Sequence, residues 1–279
     1  MAGAAALGAS ALLADAARAQ VVPDGRKTPD PGTFRPGDFI WPKKGGQFVP
    51  YSGSDKANTV VEEEELTEER WQRLRIEYIR KVRSPDAAQA PDAEYRRKVA
   101  DRLEEMTYTE FFHDYAAGIT PGRYQTYGIS NFLYVGHMAI IDIESATGRP
   151  MVIEAVLGQS IACRSCVERV PYDEWLKRRG DIYVWHGRVR DIDPARGARI
   201  AVEAAAQVQK PYEFMNWDLL DDSGFYCSKL AWYATYKATG MALDGDTQGQ
   251  RFFWFSPLQA IRRTKEVELL FNPGNYQNL

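Results

Sequence analysis

Apolar residues recur at steps of three and four in the first half of the chain. Trp71, Leu74, Tyr78 and Val82 share one side of a helical repeat, and the Ser84-Pro85 pair closes it, since the residue before proline is pushed out of the helical region. Tyr95, Val99 and Leu103 mark a second helix with Asp92 as its N-cap. Thr107 and Glu110 have capping-box spacing for a third, YTEFFHDYAAG, closing at Gly118. The acidic run at 62–65 reads as a solvated helix start. From residue 131 the period changes to two. NFLYVGHMAIIDIE, VIEAVLG and DIYVWHGRVRDI are separated by turn-rich segments, the pattern of an antiparallel sheet. FRPGDFIW adds a Pro-Gly turn leading into a short strand, and VERVPYDEWL a strand followed by a short helix. Two further helices are expected, PARGARIAVEAAAQVQ and the segment opening at SGFYCSKL, with EVELLF near the end of the chain. Strands and helices follow one another without βαβ regularity, so the fold class is α+β, with 62–118 as a helical insertion between strands.

Composition narrows the picture. A chain of 279 residues that is 44% hydrophobic and 26% charged has ample material for a core. A net charge of −3 gives no electrostatic reason to expect a nucleic-acid partner. The first twenty residues are Ala-rich and free of charge until Asp15, and Ala17-Arg-Ala19 has the form of a signal-peptidase site, although no basic segment precedes the apolar run. The expectation is a signal peptide over 1–19, a Pro- and Gly-rich linker over 20–33 and a single domain over 34–279, exported to the periplasm or beyond the cell. No stretch of ~18 apolar residues occurs elsewhere, so no integral membrane span is expected.

Candidate chemistry begins with Cys227. Asp221, Asp222, Ser223 and Gly224 form a polar loop; Leu230, Ala231, Ala234 and Ala238 then recur at helical spacing, and Gly240 is a natural stop. Cys227 therefore falls in the first turn, where open backbone N–H groups and the helix dipole favour negative charge. Position alone leaves a reactive thiol and a small buried hydrophobe equally open. A nucleophilic cysteine needs a base and a group to orient it. Of the three histidines, His113 lies in the insertion and His186 in a strand beside Trp185. His137 occupies the strongest strand, on the face of Ala139 and Ile141. In isolation, a histidine there is a satisfied core residue. The next strand places Glu154 between Val152 and Val156, where a carboxylate is rarely buried without a partner. If the strands are neighbours, Glu154 could orient His137; Asp142 and Glu144 are alternatives on the opposite face.

FRPGDFIW, GHMAII, VIEAV, KPYEF and FYCSKL, taken in this order, resemble the circularly permuted branch of the NlpC-like cysteine peptidases, YiiX-like proteins among them. In that branch the histidine strand precedes the cysteine helix. The tail FSPLQAI is also similar. The family's usual Y-C-S-E-L is here Tyr226-Cys-Ser-Lys-Leu230, with Lys229 in the place of glutamate, which a helix-surface position would tolerate. The block 62–118 has no counterpart in the family pattern. The resemblance implies a papain-like core in which an antiparallel sheet packs on a cysteine-bearing helix. It also implies Cys227 as nucleophile, His137 as base and Glu154 as orienting residue; no cofactor or metal is expected. Tyr226, Tyr212 and Trp217 would line the substrate cleft, unless they are core aromatics.

The expected function is hydrolysis of an amide, in a cell-wall or other peptide, through a thioester. A lipid or acyl-ester deacylase or acyltransferase on the same fold is the first alternative. A thiol–disulfide protein using Cys163-Arg-Ser-Cys166 is a second, although the strand-flanked setting lacks the thioredoxin context and favours a local disulfide between Cys163 and Cys166. Zinc lacks a second Cys/His pair. A non-catalytic binding module is the third.

Overall fold

Alternation of apolar side chains gives this chain a sheet with two buried faces. The computed structural model describes residues 25–46, 51–52, 68–89, 93–115, 133–134, 136–159, 162–214, 216, 218–243, 255–262, 265–276 and 279. Among them are strands β1 (Phe39–Lys44), β2 (Tyr51–Ser52), β3 (Leu133–Tyr134), β4 (Ala139–Ile143), β5 (Pro150–Gln159), β6 (Arg164–Pro171), β7 (Ile182–Val189) and β8 (Val267–Phe271). The helices are α1 (Glu68–Val82), α2 (Ala93–Glu105), α3 (Tyr108–Tyr115), α4 (Tyr172–Arg179), α5 (Pro194–Ala205), α6 (Cys227–Thr239) and α7 (Pro257–Arg262). Six strands form one sheet in the order β6-β5-β4-β1-β7-β8, with every neighbouring pair antiparallel. This is a mixed helix–sheet architecture, α+β as the order of strands and helices in the sequence predicts.

One face of the sheet carries Phe39, Trp41, Met138, Ile140, Ile153 and Ala155 into the main core with α6. The other carries Ile40, Ala139, Ile141, Val152 and Val184, covered by Phe34 and by Tyr172 and Trp175 of α4. The helical block joins the first of these cores: Trp71, Val99, Leu103 and Phe111 are fully buried in it. Burial of a side chain such as Phe111 contributes about 1.5–3 kcal/mol. Its third helix opens on the expected capping box, Glu110 N–H donating to Thr107 Oγ1 (3.1 Å) and Thr107 N–H to Glu110 Oε2 (2.9 Å). Asp92 and Gly118 lie outside the described residues, as do residues 1–24 with the expected signal peptide.

Two local expectations change. The stretch expected to be an extended linker is, from residue 25 onward, laid against the sheet. Val184 N–H donates to the Lys27 carbonyl (2.8 Å), and Lys27 Nζ pairs with Asp181 (2.6 Å). Phe34 is the cause, since its ring packs edge-on against Tyr172 and His186 in the second core. The single strand expected across NFLYVGHMAIIDIE is split. Leu133 and Tyr134 pair with β2, whereas β4 starts at Ala139. Gly136, at φ +92°, turns the chain between them.

Candidate active site

Helix α6 places a sulfur at its own N-terminus. Tyr226 is the N-cap residue, with extended backbone and no side-chain cap, so the first N–H groups of the helix lack a side-chain acceptor from that position. Cys227 is the first helical residue and Gly240, in the left-handed conformation, ends the helix as expected. The helix is buried over most of its circumference, including Ser228, Lys229, Leu230, Ala231, Trp232 and Ala234.

That burial corrects the expectation for Lys229. It is fully enclosed rather than on a helix surface, and its Nζ donates to the Asp221 carbonyl at 2.5 Å and lies 5.3 Å from the Phe225 ring centre. Burial lowers its pKa to about 7 against the opposing pull of Asp221, Asp218, Glu213 and Asp222. The nearly all-round packing of α6, which the short apolar stripe did not disclose, is the reason.

His137 is held by its neighbours on both sides. Gly136 before it has the Tyr276 hydroxyl 2.2 Å from where a Cβ would stand, so no larger residue fits without moving that ring. His137 sits two residues ahead of β4, not inside it. Register does the rest: Ile140 faces Ile153 and Ile141 faces Val152. Continued backward, the same register sets His137 diagonal to Glu154, within reach of a long side chain. His137 Nε2 and Glu154 Oε2 are 2.7 Å apart. The Cys227 side chain interacts with the same ring. Burial works against the imidazolium, but the Cys227 sulfur and the Glu154 carboxylate outweigh it and raise the His137 pKa from 6.5 to about 9.

Glu154 has no exposed surface. Directly across the ladder stands another buried carboxylate, Glu168 of β6, a like-charge pairing that needs compensation. The basic last turn of α4 supplies it. Arg179 Nη2 lies 2.7 Å from Glu154 Oε2, and Arg178 Nη2 bridges Glu154 Oε1 (3.1 Å) and Glu168 Oε1 (2.9 Å). Burial would raise the Glu154 carboxyl, yet the Arg179 guanidinium and the His137 contact hold it far below the ordinary carboxylate range. These charges neutralise one another within one network, which makes the burial tolerable.

The remaining candidates separate cleanly. His186 is buried and bonded to Asp38 (2.7 Å), which also takes two bonds from Arg188, a self-satisfied cluster joining β7 to the residue preceding β1. The His113 side chain lies outside the described residues. Asp142 pairs with Arg169 at 2.8 Å and Glu144 accepts from the Thr147 hydroxyl at 2.6 Å, so neither serves His137. Cys163 and Cys166 form a disulfide and leave Cys227 as the free cysteine. Their hairpin joins β5 to β6, not a strand to a helix, and so offers no thioredoxin-like setting. Tyr226, expected in the cleft, is a core side chain instead. It is 1% exposed, and its hydroxyl accepts from Phe255 N–H at 3.2 Å. Tyr212 is half-buried beside the main core, and Trp217 lies outside the described residues. Among the described residues no group of three or more His, Cys, Asp and Glu side chains could hold a metal ion.

Arg178, Arg179 and Tyr276 were missed from the sequence. The two arginines read as ordinary complements to a helix dipole, and Tyr276 sits in a tail with no periodicity. One consequence is testable. Gly136→Ala should displace Tyr276 and His137 together, lowering His137-dependent alkylation of Cys227 about tenfold or more while the far-ultraviolet circular dichroism stays unchanged. Alkylation equal to wild type would show that the close approach at Gly136 does not position the histidine.

Residues 121–252 match the model of the permuted papain-like amidase family, YaeF/YiiX, C92. The matched segment contains His137, Glu154 and Cys227. The chain is also similar to a solved structure described as the crystal structure of metalloprotein YiiX from Escherichia coli O157:H7. The identity is 19%, covering 49% of this chain and 82% of that one, with a TM-score of 0.36. No curated protein gives a significant match.

Proposed function

We propose, on the similarity of residues 121–252 to the permuted papain-like amidases, that this chain is a cysteine hydrolase that cleaves an amide bond of a cell-wall or other peptide. The observation that carries the reading is the continuous contact from Cys227 through His137 to Glu154. In this reading His137 holds the proton of the thiol, and the sulfur attacks the amide carbonyl. Backbone N–H groups at the start of α6 receive the developing oxyanion, an interaction worth about 2.7–4 kcal/mol per donor in other hydrolases. The imidazolium then gives its proton to the leaving amine, which departs and leaves a thioester on Cys227. Water enters, His137 removes its proton, and the thioester is hydrolysed to a carboxylate and free thiol. Throughout, Glu154 fixes which ring nitrogen faces the sulfur.

The choice of peptide goes with a second part of the proposal, that the protein is exported. The Ala-rich stretch 1–19 ends in a form suited to signal-peptidase cleavage, and the Cys163–Cys166 disulfide suits an oxidising compartment. The test compares turnover of peptidoglycan-derived peptides with that of short-chain acyl esters, each with Cys227→Ala as control. Cys227-dependent release of new amino groups from the peptides is expected. Turnover of the esters alone would reassign the enzyme as a deacylase.

A further inference from the structure

Beneath His137 the structure holds one more charged layer that the catalytic chemistry does not itself consume. Glu154 Oε2 accepts from two sides at the same distance, 2.7 Å from His137 Nε2 and 2.7 Å from Arg179 Nη2. Arg179 is itself enclosed, with 7% of its side chain exposed, and lies 4.7 Å from the centre of the Trp175 ring. Its Nε has no hydrogen-bond partner among the described residues. The guanidinium therefore meets Glu154 by a single N–H, not in the two-pronged manner that arginine usually adopts with carboxylates. Such a geometry serves to place charge and to fix one oxygen.

We infer that Arg179 is a positioning residue for the cysteine–histidine pair, clamping the Glu154 carboxylate in the place and charge state that His137 Nε2 requires. The inference rests on the hydrolase reading above and extends it by one residue. The groups around Glu154 are few. His137 approaches from ahead of β4, Arg178 and Arg179 from α4 together with the Trp175 side chain, and Glu168 from the opposite position on β6; Cys227 of α6 lies beyond His137. Removing Arg179 leaves two buried carboxylates facing one another, with Arg178 bridging both and the histidine as the remaining cation. The Glu154 carboxylate then becomes easier to protonate, as burial alone demands. Once protonated, it no longer holds the imidazolium, and the sulfur loses its partner as the pH falls.

Alkylation of Cys227 by iodoacetamide, followed from about pH 4 to 9, reads this directly and needs no substrate. In Arg179→Met the acid-side midpoint of the His137-dependent rate should rise by about one unit, a loss of about fivefold at the pH where wild type is still half active. Arg179→Lys, which keeps the charge but not the planar group, should recover most of the shift, because the native contact uses a single N–H. In a Glu154→Gln background, Arg179→Met should cause no further displacement. Melting curves and circular dichroism on each variant identify simple misfolding; should Arg179→Met not fold, the charge-keeping Arg179→Lys profile against Glu154→Gln decides. An unshifted profile in folded Arg179→Met, or the same shift in the Glu154→Gln background, overturns the positioning role alone. Loss of any His137 dependence in the wild-type protein would instead remove the hydrolase reading on which it rests.

Discussion

Cys227→Ala is expected to abolish amide turnover, by at least about a thousandfold, because no other free thiol exists to form the acyl-enzyme. The substitution should also be visible in His137. The Cys227 sulfur is the first of the contacts that raise this imidazole to about 9 against its burial. Without the sulfur, the titration should move down toward 6.5. The sign for stability follows from linkage. A histidine raised in the folded state stabilises fully below its unfolded value near 6.5, and that contribution is lost as the pH climbs through about 9. In Cys227→Ala the contribution should therefore be smaller and its loss complete at lower pH. Imidazole resonances followed by nuclear magnetic resonance, together with melting curves between about pH 6 and 10, check both statements. An unchanged His137 titration would mean that sulfur and ring do not interact.

Glu154→Ala should be among the most damaging single changes to the fold. It leaves Arg179 and His137 facing a buried space without the carboxylate both contact, and breaking a buried pair from one side costs about 3–5 kcal/mol. Glu154→Gln keeps shape and an acceptor, so it should fold better while losing the charge that holds the imidazolium. The pH dependence has the opposite sense to that of His137. A carboxylate depressed in the folded state stabilises above its ordinary 4.5, and the contribution is lost as the pH falls below that value toward the folded one. Wild type should thus melt at lower temperature at pH 4 than at pH 6 by more than Glu154→Gln does. Equal acid sensitivity in the two proteins would place the acid loss elsewhere. Between about 4.5 and 6.5 the Glu154 and His137 contributions coexist, and there the site should be most robust.

Periodicity carried much of this architecture. Period-two runs gave the antiparallel strands, and a capping box at Thr107 and Glu110 marked the start of α3 because both of its bonds are local in sequence. Alternation also put His137 and Glu154 on one face, and the register of β4 on β5 then set them diagonal. What stayed hidden depends on contacts far apart in the chain. Lys229 looked like a surface residue because one apolar stripe suffices for an ordinary helix, whereas α6 is enclosed on nearly all sides. Tyr226 looked like a cleft residue, but its hydroxyl is taken by Phe255, 29 positions later. Arg178 and Arg179 end a short helix in the usual basic manner, and nothing local reveals that two buried carboxylates lie beneath them.

The pairing of Cys227 with His137 is open to one direct test. With the Cys163–Cys166 disulfide intact, Cys227 is the free thiol, and its alkylation by iodoacetamide at neutral pH isolates that pairing. Selective modification of Cys227 is expected in wild type, with a fall of about tenfold or more in folded His137→Ala, if the two act as a pair. Equal rates in the two proteins would contradict that pairing.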